Sequence, residues 1–286
     1  IAFSRKCKKV IAVELNKERA KILNENLKKL HIKNVEVING DALNKSILQK
    51  ISKENPEIVF VDTERPEEVN RTLEQIQTPV KKILETYSVM TKKIAIEIPP
   101  FTDVKTLKEN EFESEFISLN GQLNRLTLYF NNLKHFEKSA ISLPSKERLT
   151  NSEKELKFQK VSSAKNFKYL YFIDTTIVVS GLLGELATKF NSSVLELSKP
   201  ALVSNNELQS YFLTKYRIAK ICEDKPEKIL QEAQKIGAGK VILRYTLDPK
   251  DYWKTRNFYE KELTGKKEIN LFRNEKQREA ILCIKV

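Results

Sequence analysis

Three short apolar runs, each closed by a carboxylate, constrain this chain more than any other feature. They are Val10-Ile11-Ala12-Val13 before Glu14, Val35-Glu36-Val37-Ile38 before Asn39-Gly40-Asp41, and Ile58-Val59-Phe60-Val61 before Asp62. Runs of this length read as strands buried in a parallel sheet. Helical patterns separate them. Asn16 is placed to cap a helix from Lys17 to Leu30, with Ala20, Leu23, Leu27 and Leu30 on one face. Ile47 to Ser52 forms a short helix, and Pro66 to Tyr87 is mainly helical with an interruption near Pro79. A fourth strand, Ile94 to Ile98, stops at Pro99-Pro100. Glu115–Leu119 and Leu123–Phe130 pair through Asn120-Gly121, and Ser139 to Leu143 closes the set. This order predicts an α/β fold with a doubly wound sheet over residues 1–145.

Residues 146–168 are polar and rich in Lys and Ser, so 146–214 is expected to be a linker and connecting segment. Residues 215–286 then form a smaller α+β domain. Its signals are a helix from Glu223 to Ile236 stopped by Gly237, a strand from Lys240 to Tyr245, a helix from Trp253 to Leu263, and strands at Ile269–Phe272 and Ala280–Val286.

Composition removes several classes. Three well-separated cysteines and two histidines give no disulfide framework, zinc site or other metal site, and fit a reducing, cytoplasmic setting. No apolar run approaches the roughly 18 residues of a membrane span. The net charge is +13, from 40 Lys and 11 Arg against 38 acidic residues, and it is spread over both halves. A basic balance favours polyanions, but no dense basic tract marks a nucleic-acid groove. Only 7 glycines occur, and the first is Gly40, so no complete glycine-rich nucleotide loop lies in the chain.

Ligands of doubly wound sheets sit beyond the carboxyl ends of the strands, which makes the three acidic strand ends the candidates. An ionised carboxylate at Glu14 can accept both hydroxyls of a ribose. Asp41 can accept from an adenine amino group while the Ala42 N–H meets a ring nitrogen. Asp62 ends the strand where a transferred group and its acceptor would meet. Each has a plainer role: Glu14 as a helix-start charge, Asp41 as a turn residue, and Asp62 as a cap. Cys283 reads as core, His31 as the end of a helix, and Trp253 with Tyr252 as core or helix packing or, less simply, as a base-stacking pair. Pro99-Pro100-Phe101 reads as a chain-turning element.

The succession Val10 to Leu15, Val35 to Ala42 and Glu57 to Asp62 resembles the motifs after the first loop of class I S-adenosylmethionine-dependent methyltransferases. The likeness extends to bacterial and archaeal methyltransferases with a C-terminal THUMP-like domain. It runs through Ile96–Asp103, Phe116–Leu126 and the strands at Ile269–Phe272 and Ile281–Cys283. The resemblance implies S-adenosyl-L-methionine held by Glu14, Leu15, Asp41 and Ala42, with Asp62 and Arg65 as catalytic residues. It also implies an RNA substrate, by analogy with true THUMP domains. The family's glycine-rich loop would precede Ile1, so the chain is expected to be N-terminally truncated and inactive alone. Other departures are Thr63-Glu64 and Pro66 around Arg65, Glu97 for a family Lys, and Arg125 for a family Glu. They leave a second reading open, a catalytically decayed scaffold that binds RNA.

Overall fold

A computed structural model describes residues 1–63, 80–104, 107 and 111–286 of the 286-residue chain, which divides into two compact units. The first comprises Ile1–Phe112 with Thr127–His135, the second Glu113–Leu126 with Phe136–Val286.

The first unit alternates strand and helix: β1 (Val10–Glu14), α1 (Lys17–Lys29), β2 (Val35–Asn39), α2 (Lys45–Lys53), β3 (Val59–Asp62), α3 (Val80–Tyr87) and β4 (Lys93–Ile98). The helix starts follow from their caps. The Asn16 side chain accepts the Arg19 N–H at 3.0 Å, and that of Asn44 accepts the Ser46 N–H at 2.9 Å. The strands pair in parallel, β1 with β2 and β3 with β4.

The mixed α/β class is as expected, but one continuous sheet is not formed among the described residues. β1 and β2 make a two-stranded sheet of their own, while β3 and β4 belong to another with β6 (Gln122–Asn131) next to β4. β1 and β3 therefore each have one hydrogen-bonded neighbour. Their apolar side chains stay half-exposed, Phe60 at 40%, where the sequence leads one to expect burial. β4 is buried from Ile94 to Ile98. The helix expected from Pro66 is described only from Val80, because residues 64–79, including Arg65, lie outside the described residues.

In the second unit, β5 (Phe112–Leu119) and the first half of β6 join through Asn120 and Gly121, with φ 53° and 79°. Two successive positive φ values are the signature of a tight hairpin turn. β7 (Lys138–Leu143) runs parallel to β5, and β8 (Glu147–Thr150) antiparallel to β7. Then come β9 (Gln159–Val161), β10 (Tyr169–Ile173), α4 (Thr175–Ser180), α5 (Leu183–Lys189), β11 (Ser193–Leu195) and β12 (Ala201–Ser204). The chain ends with β13 (Leu213–Glu223), α6 (Pro226–Ile236), β14 (Ala238–Leu243), α7 (Pro249–Glu260), β15 (Lys267–Asn274) and β16 (Glu279–Lys285). Residues 146–214, expected as a connection, are thus built of β8 to β12 with α4 and α5, and they belong to this unit.

Strands β9 to β16 form one sheet in the order β14-β15-β16-β13-β10-β12-β11-β9. The cross-strand register fixes its two faces. On one face Tyr171, Ile173, Val194 and Leu202 pack under α4 and α5, while Val241, Ile269, Leu271 and Leu282 pack under α6 and α7. The opposite face buries Leu170, Val203, Tyr216, Phe272, Ile281 and Cys283 against Ala164 and Phe167. Cys283 is core, as expected, and burial pushes its thiol pKa up. Trp253 is not core: it is 63% exposed on α7 with the Arg256 guanidinium over its ring, because the buried side of α7 is carried by Tyr259 and, in part, Tyr252.

Tyr245 belongs to the core under α6 and α7, yet its hydroxyl has no hydrogen-bond partner among the described residues. Burial pushes its pKa up from 10.0 to about 12 against the opposing charge of Arg273. The unfolded chain therefore loses this proton first. The stability Tyr245 contributes is complete below about pH 10 and is lost as pH rises towards about 12. Tyr245→Phe is expected to be neutral or stabilising at neutral pH, since it removes an unpaired buried hydroxyl. Urea unfolding of the variant at alkaline pH should show a smaller loss of stability than the wild type. An identical alkaline decline in both proteins would contradict this assignment.

Candidate active site at the strand ends

The carboxyl ends of β1 and β2 are closed by a set of short bonds. In register, Glu14 stands opposite Asn39. The Asn39 side chain donates its Nδ2–H groups to the carbonyls of Glu14 at 2.9 Å and Leu15 at 3.1 Å, and the Gly40 N–H donates to the Glu14 carbonyl at 3.0 Å. Gly40 is required here: its φ is +151°, and a Cβ would collide with the Ile47 side chain of α2.

These bonds bring the Glu14 end and the Asp41 turn together. Glu14 Oε1 accepts the Asn16 N–H at 2.8 Å, and Asp41 Oδ1 accepts the Leu43 N–H at 2.8 Å. The plainer roles weighed for both residues are thus real, but among the described residues each occupies only one carboxylate oxygen. Leu15 is 70% exposed beside them. Tyr87, at the end of α3, donates its hydroxyl to the Ala42 carbonyl at 2.7 Å. Burial pushes its phenol pKa up, and the Asp41 charge adds to the effect. The Ala42 N–H, half-exposed next to Asp41, has no hydrogen-bond acceptor among the described residues. The turn after β2 therefore presents one acceptor oxygen and one donor N–H side by side.

The second parallel pair is closed differently. Asp62 stands opposite Glu97 in register and is exposed. Thr63 is buried and gives both its N–H, at 3.2 Å, and its Oγ1–H, at 2.8 Å, to the Glu97 carbonyl. Glu97 is itself buried. Beyond it, Pro99 and Pro100 are buried, the Thr102 N–H bonds the Pro99 carbonyl at 3.1 Å, and Phe101 is left 64% exposed. Pro99-Pro100 is the chain-turning element expected. Arg125 is exposed and lies in the second unit.

Glu14, Leu15, Asp41 and Ala42 thus gather at one pair of strand ends, and Asp62 ends the neighbouring pair in the chain. Asn39 and Tyr87 are structural parts of the site that sequence reasoning did not single out, and Thr63 was marked only as a departure from the family pattern. An amide directly before Gly40 at a strand end is the signal that could have marked Asn39. Nothing in the helix pattern marks Tyr87. Among the described residues, no group of three or more His, Cys, Asp and Glu is placed to hold a metal ion, and no helix is long and apolar enough to cross a membrane.

Residues 2–115 match the family described as Conserved hypothetical protein 95, which is less than half of the chain. The structure is similar to the crystal structure of a "putative methyltransferase" from Porphyromonas gingivalis W83, with TM-score 0.78 and 17% sequence identity, over 100% of this chain and 73% of that one. At that identity the likeness establishes the fold. No curated protein matches the sequence.

The amide of Asn39 is the tie between the two strand ends. Asn39→Asp removes both donated bonds and sets a charge beside Glu14. It is expected to cost about 1–3 kcal/mol of stability, read as a lowered urea midpoint. An unchanged midpoint would show that the backbone bond from Gly40 holds the turn unaided.

Proposed function

We propose that this chain is part of an S-adenosyl-L-methionine-dependent methyltransferase that acts on RNA. The observation that carries the reading is the pair of groups after β2, the second oxygen of Asp41 and the open N–H of Ala42, beside the second oxygen of Glu14. An adenine offers an amino donor and a ring-nitrogen acceptor with that polarity, and a ribose offers two hydroxyl donors. The residues present therefore suit the cofactor. Glu14 would accept from the ribose, Asp41 and Ala42 would read the adenine edge, and the exposed Leu15 would cover an apolar side of it. The family match over residues 2–115 and the shared fold support the same reading.

When bound, the cofactor supplies an electrophilic methyl group. The remaining work is alignment of an acceptor with that group, and proximity supplies much of the barrier reduction in such displacements. Asp62, exposed at the end of β3, would orient the acceptor or take its proton. Arg65, three residues on, would orient substrate or a phosphate.

A second reading is favoured by Thr63. Its side chain is consumed in holding the Glu97 carbonyl, so Thr63 is tied to β4 rather than offered to a substrate. On that reading the scaffold binds RNA without methyl transfer.

Calorimetry with S-adenosyl-L-methionine and radiolabelled methyl transfer to total RNA, both on the intact protein, decide between them. Methyltransferase activity predicts cofactor binding that weakens at least about tenfold in Glu14→Gln with Asp41→Asn, since each removes a charge-assisted hydrogen bond. It also predicts ribonuclease-sensitive incorporation that is lost in Asp62→Ala. RNA binding without cofactor binding or transfer would establish the decayed scaffold. Ribonuclease-insensitive transfer would remove RNA as the substrate.

A further inference from the structure

The eight-stranded sheet of the second unit carries a cross-strand row that opens to solvent at β13 on its helix-bearing face. The register aligns Ser204 of β12, Tyr169 of β10, Arg217 of β13 and Ile284 of β16 on this face. The same face is fully buried on either side, at Tyr171, Ile173 and Leu202 under α4 and α5, and at Ile269, Leu271 and Leu282 under α6 and α7. Along the row Ser204 is buried, Tyr169, packed in part against the core under α4 and α5, and Ile284 are half-buried, and Arg217 is exposed. No ion pair holds Arg217 among the described residues.

Two more cations of β13 share the face. Lys215 lies two residues before Arg217, about 6.7 Å along the strand. Lys220 lies beyond a bulge between Ile218 and Lys220, and pairs with Leu282. The bulge returns Lys220 to the face that Arg217 occupies, where regular alternation would send it to the other side. Lys215 sits over the Tyr169 ring at 5.9 Å.

The acidic groups facing the row are few. Glu207 accepts from Lys215 at 2.8 Å and from the Tyr169 hydroxyl at 3.0 Å, but its side chain is 55% exposed, so solvent screens the pair. Glu232 of α6 is held by Lys235 at 2.7 Å and stands 4.0 Å from Lys220. The balance of the strip is positive.

We infer that this strip, Tyr169 with Lys215, Arg217 and Lys220, is a docking surface for single-stranded RNA. An open sheet face with an aromatic ring and a line of cations is what unpaired nucleotides need: the ring stacks a base and the cations follow the phosphates. A polyanion without bases would use the cations and leave the ring idle. The inference takes RNA as the partner from the proposed function, but it does not depend on methyl transfer.

The test is fluorescence anisotropy of the intact protein with a labelled oligouridine of about twelve residues, between about 50 and 200 mM salt. Arg217→Glu with Lys220→Glu is expected to weaken binding more than tenfold and to lower the salt slope by about 1.4, at roughly 0.7 per cation on a single strand. Tyr169→Leu should weaken binding about tenfold with the slope unchanged. Lys21→Glu, an exposed reversal on α1, should change neither, and Arg217→Lys should retain most of the affinity.

Wild-type affinity in the double reversal, or no binding of oligouridine by the wild type, would overturn the inference. So would polyglutamate competing as well as oligouridine. Loss of RNA binding with cofactor binding intact places the effect on this surface. Absent cofactor binding with RNA binding retained removes the methyltransferase reading and leaves the surface standing.

Discussion

The side-chain amide of Asn39 reaches across to two successive carbonyls, those of Glu14 and Leu15, and the arrangement of the first unit's site depends on that reach. Parallel strands end in carbonyls and N–H groups that no partner strand satisfies, and a loop leaving such an end has many courses open to it. Here Asn39 and the Gly40 N–H take up the orphan groups of β1. The turn after β2 is thereby fixed against Glu14, and Asp41 and Ala42 emerge in one place. Tyr87 fixes the same turn from the side of α3 by holding the Ala42 carbonyl. That bond leaves the opposite face of the same residue, its N–H, as the open one. Glu14 and Asp41 each give one carboxylate oxygen and the backbone carbonyl to the fold, and Ala42 gives its carbonyl.

Much of this order was written in the sequence, though not its closure. Apolar runs of four residues ending in a carboxylate do become β1 and β3, and Asn16 does cap α1. The same runs also mislead, because a run without alternation reports the burial a strand is suited to. Among the described residues β1 and β3 each pair on one edge, and Phe60 and the side chains of β1 remain half-exposed. Site carboxylates were legible because acidic residues at strand ends break an apolar pattern. The structural roles of Asn39, Thr63 and Tyr87 were not, because each acts through hydrogen-bond partners that lie 24 to 45 residues away in the chain. No local pattern encodes such a distance.

The second unit was harder to read for a different reason. β13, its longest strand, has no clean alternation in Leu213-Thr214-Lys215-Tyr216-Arg217-Ile218-Ala219-Lys220-Ile221-Cys222. The bulge supplies the cause. Up to Ile218 the apolar residues Tyr216 and Ile218 point to the core that holds Phe272 and Ile281. One added residue, Ala219, then shifts the phase, so that Ile221 returns to that core and Cys222 joins the core under α6. A period of two searched across the insertion finds nothing.

That same insertion links sheet geometry to surface chemistry. In regular alternation Ile221 would leave its core for the helix-bearing face, and Lys220 would enter the apolar side among Tyr216 and Phe272. Burying an unpaired ammonium there costs several kcal/mol, far more than the single ladder position a bulge disturbs. The insertion is therefore the cheaper solution for a sequence that carries both Arg217 and Lys220. Its consequence is that both cations stand on one face, beside the ring of Tyr169, at a place where the helices leave the sheet open. The charge of the strip is a product of strand phase, and composition alone does not reveal it: the excess of lysine is spread along the whole chain, while the register of β13 decides where part of it converges.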